Sequence, residues 1–141
     1  SYIKQMLYQE FELPKYKWKI YAFYDTTSDD LESVMDCLYN LKCPSELAKK
    51  AYKNIYANNP NTGLTYSNDK KTCIVLGRAT DRQNFAHTYT HEIFHCAIHI
   101  ANEYGINTRG EEIAYIAGDL GALMLPYASS FFCEYCYNKN L

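Results

Sequence analysis

The sequence predicts an α+β domain, a small antiparallel or mixed sheet packed against two long, well-bounded helices. Three observations carry this expectation. An aromatic segment near the N-terminus alternates as a strand does. Two short β-prone runs are joined by a polar turn, the pattern of a hairpin. The second half then shows two helical periodicities separated by a glycine turn. At 141 residues the chain suits one domain spanning residues 1–141. A domain of that size buries roughly two-thirds of its unfolded surface, enough to fold without disulfides.

The first strand is expected at residues 16–24, where Tyr16, Trp18 and Ile20 alternate with lysines before the segment turns aromatic throughout. Ser28-Asp29-Asp30 opens a helix whose Leu31, Val34, Met35, Leu38 and Leu41 fall at helical spacing. Pro44-Ser45 starts a second helix, which Asn58-Asn59-Pro60 stops. Strands are expected at 63–67 and 72–76, joined by Asn68-Asp69-Lys70-Lys71. The next helix is expected to begin at a capping box formed by Thr80 and Gln83 and to end at Gly105, with Ile106 as hydrophobic partner. Another helix runs from Thr108 or Arg109 to Leu125, where Pro126 ends or kinks it. A last helical piece carries Phe131, Phe132, Tyr135 and Cys136.

Composition excludes several function classes. Hydrophobic residues make up 48%, with 15 tyrosines, and charged residues 21%, a globular balance and not a disordered one. The net charge of −2 and the absence of any basic run longer than two residues argue against nucleic acid and anionic membranes as partners. No apolar stretch reaches the ~18 residues of a membrane span, and no signal peptide is visible. The six cysteines are too scattered for a disulfide framework and suit reduced, buried thiols, so a cytoplasmic setting is expected.

The chemistry concentrates in His91-Glu92-Ile93-Phe94-His95. On a helix, side chains four residues apart sit about 40° apart around the axis and one turn along it. Two imidazoles so placed can converge on one Zn²⁺ at ~2.0–2.1 Å. Glu92 lies on the adjoining arc, beside such a metal but not on it, where it can act as general base towards the metal's water. Ile93, Phe94, Cys96, Ala97, Ile98 and Ile100 suggest an almost wholly buried helix, in which polar groups need partners. A third ligand is required if one coordination position is to stay open. Glu111 and Glu112, sixteen and seventeen residues after His95, can supply it because the turn at Gly105 reverses the chain. Glu111 shares a face with Ala114, Gly118 and Ala122, small residues that allow close approach, and we favour it. If instead Glu111 serves as capping-box partner to Thr108, the role passes to Glu112.

The run His91 to His95, then Gly105-Ile106, then Glu111-Glu112-Ile113-Ala114-Tyr115-Ile116-Ala117-Gly118 resembles small single-domain zincins common in phages and mobile elements. Their pattern is an H-E-x-x-H helix, a "G-I" turn and an "E-x-x-A-Y-x-x-G" helix. Asn61 to Asn68 and the 16–24 strand also fit that layout. The resemblance implies a minimal zincin-like fold, a zinc metallopeptidase activity, and Glu111 as third ligand. A looser likeness joins His99 and Leu123-Met124-Leu125-Pro126 to the ImmA/IrrE metallopeptidases, but the "E-A-N" signature is missing and the spacing to Pro126 is longer. Their repressor-cleaving role is not carried over.

The expected constellation is therefore zinc on His91, His95 and Glu111, with Glu92 catalytic and a peptide or protein as substrate. A protein partner can supply specificity to so small a domain. Two rivals remain: a zinc amidase acting on a non-protein amide, and a zinc-stabilised binding or structural protein with a vestigial protease site. His99 is expected to be a hydrogen-bonded core histidine or one that supports the metal ligands from behind, and His87 a helix-surface one. Asp119 or Tyr115 are possible orienting groups, and Cys133-x-x-Cys136 lacks a second pair to complete a metal site. In zincins an edge strand beside the active-site helix binds substrate in extended form, and residues 72–76, the last strand before that helix, are the candidate.

Overall fold

A computed structural model describes residues 6–133 of the chain. It is an α+β fold with a four-stranded mixed sheet and four α-helices. The strands are β1 (Leu7–Leu13), β2 (Trp18–Thr26), β3 (Gly63–Asn68) and β4 (Lys71–Gly77), in the sheet order β1-β2-β4-β3. β2 and β4 pair in parallel, and the two outer pairings are antiparallel. Helices α1 (Leu31–Asn40) and α2 (Ser45–Tyr56) connect β2 to β3. Helices α3 (Arg82–Tyr104) and α4 (Glu111–Ala128) follow β4.

The alternation of β2 and β4 explains the layering. Trp18, Ile20, Ala22, Tyr24, Ile74 and Leu76 point to one face, where they pack with α3 and α4. Phe23, Cys73 and Val75 point to the other, where α1 and α2 cover them. Successive side chains on a strand face opposite ways, so a strand covered on both faces reads as apolar throughout. That is why residues 20–24 and 73–76 lose their alternation.

Several expectations need correction. β1 has no counterpart in the reading above: Glu10 and Glu12 interrupt a short edge strand. It is held partly by Gln9, which accepts from Tyr24 Oη at 2.7 Å and donates through Nε2 to the Leu123 carbonyl at 2.9 Å. The strand expected from Tyr16 begins at Trp18, because Pro14–Tyr16 forms a 3-10 turn and Lys17 takes a left-handed conformation. The Ser28–Asp30 segment is likewise 3-10, capped by a Thr27–Asp30 box. The cap of α3 is Asp81, whose carboxylate accepts from the Asn84 N–H at 2.8 Å. Thr80 is already committed, its hydroxyl accepting from both Asn61 and Asn84 side-chain amides. α4 runs through Pro126 to Ala128, so the proline does not end it, although its missing N–H forfeits one backbone bond.

The hairpin and the α3 terminus follow expectation. β3 and β4 join through a two-residue turn, Asp69-Lys70, with both residues at positive φ. Gly105 closes α3 at φ +65°, and the Ile106 N–H returns to the Ala101 carbonyl at 2.8 Å. Tyr135 and Cys136 lie outside the described residues; before them, Ser129–Phe131 forms a single 3-10 turn. None of the described helices is long and apolar enough to cross a membrane. Of the described cysteines, Cys73 and Cys96 are buried, Cys37 and Cys43 half-buried and Cys133 exposed.

Gly105 tests the local term cleanly, because a Cβ there meets nothing within 4 Å. Gly105→Ala should cost about 1 kcal/mol of unfolding free energy in a urea titration, from the left-handed backbone alone. A neutral result would show that the turn relaxes without its glycine.

Candidate metal centre

α3 meets the sheet obliquely along β3, and this contact positions the site. Positions 88, 92 and 99 of the helix face the strand. Glu92 is buried, 6% exposed, and its carboxylate is held from two sides. The Thr65 hydroxyl lies 2.7 Å from Glu92 Oε1 and 3.1 Å from the Glu92 backbone carbonyl. On the other side stands Gly63, where an added Cβ would come within 2.6 Å of Glu92 Oε2 and 2.8 Å of Thr88 Cγ2. A carboxyl group taken out of water needs such partners, and the strand supplies both the hydroxyl and the room.

His91 and His95 sit one arc further round, and here the structure departs from the sequence reading. The face is exposed, not buried: His91, Phe94 and His95 are all open to solvent. The sheet and α4 cover only the opposite sides of α3, so apolar neighbours in sequence do not imply burial of this arc. The two imidazoles nonetheless converge, with Nε2 atoms 3.1 Å apart and ring centroids 4.7 Å apart in an edge-on arrangement. Two nitrogens at ~2.0–2.1 Å from one tetrahedral zinc would be about 3.3–3.4 Å apart. The donor pair therefore fits a single zinc with minor adjustment.

The third ligand is the incomplete part. Among the described residues no group of three His, Cys, Asp or Glu side chains has the arrangement to hold a metal ion. Glu111 lies exposed in the first turn of α4, and no hydrogen bond or ion pair engages it among the described residues. Glu112 is engaged elsewhere: Tyr16 Oη donates to its Oε2 at 3.3 Å, and Lys15 Nζ lies 4.0 Å from Oε1. Of the two glutamates, Glu111 is the one left available. Tyr115 and Asp119, weighed as orienting groups, are both exposed. His87 is exposed and stacks on His91, ring centroids 5.9 Å apart.

His99 is more firmly built in than the sequence suggested. Trp18 Nε1 donates to Thr72 Oγ1 at 2.7 Å, Thr72 Oγ1 and Ser67 Oγ lie 2.7 Å apart, and Ser67 Oγ lies 2.7 Å from His99 Nδ1. Burial, with His95 nearby as a second cause, lowers the proton affinity of this imidazole.

The substrate-strand expectation is corrected by the sheet order. β4, which contains residues 72–76, is central; the edge beside α3 is β3. A two-residue turn closes on the hydrogen-bonded pair Asn68–Lys71, so alternation along the ladder turns the backbone N–H and C=O of Gly63, Thr65 and Ser67 outward. Sequence reasoning missed Gly63, Thr65 and Ser67 as site residues. Two signals were present: the resemblance noted for Asn61 to Asn68, and a glycine opening the strand, a mark of close backbone approach.

No family model, curated protein or solved structure matches the chain, so the geometry has to carry the reading.

Gly63→Ala tests whether Glu92 is held by this close approach. The added methyl should displace the carboxylate, cost about 1–3 kcal/mol of stability by overpacking and lower any Glu92-dependent turnover at least tenfold. Unchanged stability by urea unfolding would mean that Glu92 moves aside freely.

Proposed function

We propose that the protein is a zinc-dependent hydrolase with a minimal zincin-like fold, acting on peptide bonds. His91 and His95 would hold the metal, with Glu111 as third ligand, and Glu92 would be the general base. The observation that carries this reading is the convergence of the two Nε2 atoms beside a buried carboxylate fixed by Thr65. A zinc ion bound there would lower the pKa of its water towards 7 and polarise an acyl carbonyl.

The side chains divide the remaining work. Glu92, held by Thr65, can take a proton from an attacking water and return it to the leaving amine. The Thr65 hydroxyl holds that carboxylate against β3, where Gly63 leaves the room for it. The outward backbone groups of Gly63, Thr65 and Ser67 can pair with an extended peptide, a recognition mode that suits main-chain amides better than small non-peptide amides. This favours a peptidase over the amidase alternative. The pairing also aligns the substrate along the face that carries Glu92.

A structural role for Glu92, in its bond to Thr65, and a catalytic one part company in Glu92→Gln, whose amide can keep that bond but cannot act as a base. Metal analysis of the purified chain should give one zinc per chain, lost in His95→Ala. Glu92→Gln should keep the zinc and lose peptide hydrolysis by about two orders of magnitude or more. Full activity in that variant would remove Glu92 from the reaction. Glu111→Ala should lower zinc occupancy well below that of Glu112→Ala, and the reverse order would move the third ligand to Glu112.

A further inference from the structure

Beside the metal face lies a cavity of about 580 Å³ between the C-terminal half of β3 and the C-terminal half of α3. Thr65, Ser67 and His99 line it on the helix side, and Tyr66 and Leu47 where it wraps round the free strand edge. It is therefore continuous, through Thr65, with the strand position that holds Glu92. His99 is a fixed polar group within it, beside Thr65 and Ser67. Its Nδ1 is committed to Ser67, at the end of the relay that begins at the buried Trp18 and passes through the buried Thr72. That leaves Nε2 as the ring nitrogen with no hydrogen-bond partner among the described residues.

We propose that this cavity is a substrate subsite for a carboxamide side chain, glutamine or asparagine, and that His99 is the residue that reads it. The inference rests on the peptidase reading above and goes further by naming the position and chemistry selected. The position follows from ladder geometry. In antiparallel addition to β3, the substrate residue beside Ser67 comes two before the residue beside Thr65, and both share the face that carries their neighbours' side chains. The residue beside Thr65 faces Glu92. The residue beside Ser67 faces His99, so it lies on the N-terminal side of the bond to be cut.

The chemistry follows from what the cavity fixes. Its charged lining groups are of both signs, Asp69 and Glu103 against Lys70, and the Lys70 ammonium lies over the Tyr104 ring at 5.3 Å. The His99 imidazole is anchored through Nδ1 by a buried network while its Nε2 has no partner among the described residues. Such a site selects a hydrogen bond in preference to a charge. A carboxamide offers both a donor and an acceptor, and so satisfies Nε2 in either tautomer.

The test uses the intact, zinc-loaded chain and a set of host peptides that differ at one position: glutamine, leucine, glutamate or lysine. Cleavage sites are read by mass spectrometry. Binding is read separately in Glu92→Gln protein through the fluorescence of Trp18, the chain's single tryptophan, which stands in the relay and lines the cavity. Glutamine shortly before the cut should raise kcat/KM over leucine roughly ten- to a hundredfold, with a matching gain in binding. In His99→Ala the glutamine-to-leucine ratio should fall towards one. Ser67→Ala, which frees Nδ1 without touching the ring, should give an intermediate ratio and guards against misfolding of the first variant.

Cleavage with no glutamine preference, or a stronger preference for lysine or glutamate, would overturn the subsite while leaving the hydrolase standing. Glutamine-selective binding that His99→Ala abolishes, without cleavage of any peptide, would sink the hydrolase reading and keep the subsite. Absence of both binding and cleavage would overturn both.

Discussion

The contact between Glu92 and β3 is the constraint on which the arrangement of this protein depends. A carboxyl group buried in the face of a helix costs several kcal/mol unless it finds hydrogen bonds, and Thr65 supplies one from the strand. The approach that makes this bond possible needs a position with no side chain, which Gly63 provides. With that contact made, the rotation of α3 about its axis is set. His91 and His95 must then face outward beside the strand edge, and Ile93, Cys96 and Ile100 must face the sheet. The polar chemistry of the helix and its packing are thus decided by one pairing across two elements.

A second set of bonds extends the same logic towards the helix C-terminus. Trp18, Thr72, Ser67 and His99 come from β2, β4, β3 and α3, and their hydrogen bonds cross the sheet in its own strand order. Thr72 is fully buried, so its hydroxyl has no water to fall back on, and the network is more valuable satisfied than broken. The α4 side is anchored independently, by Tyr89 Oη donating to the Gly121 carbonyl at 2.6 Å and by Gln9 on Leu123. The first turn of α4 is only partly tied down, with Glu112 drawn towards Tyr16 and Lys15 and Glu111 left exposed. A side chain in that state has the freedom to be ordered by a ligand, which is what a metal-completing glutamate requires.

Much of the local structure was legible from residue patterns. The hairpin, the second helix at Pro44-Ser45 and the left-handed stop at Gly105 follow from turn chemistry and periodicity that act within a few residues. Where local signals competed, the reading failed in instructive ways. Thr80 has the identity of a helix cap, but its hydroxyl is taken by Asn61 from a distant loop, and Asp81 caps instead. β1 carries too many polar residues to announce itself, and its pairing with β2 makes it a strand.

The sequence by itself determined that His91 and His95 share a helix face with Glu92 on the adjoining arc, because helical spacing is a property of the chain alone. Only the tertiary structure decided which strand that face meets, that the histidine arc is open to solvent, and that His99 ends a hydrogen-bonded relay. Sheet order cannot be read from spacing, since β3 lies outside β4 only through pairings between segments some fifty residues apart. Burial obeys the same limit: an apolar neighbour along the helix lies on a different face from the one it flanks, and only packing decides which face is covered.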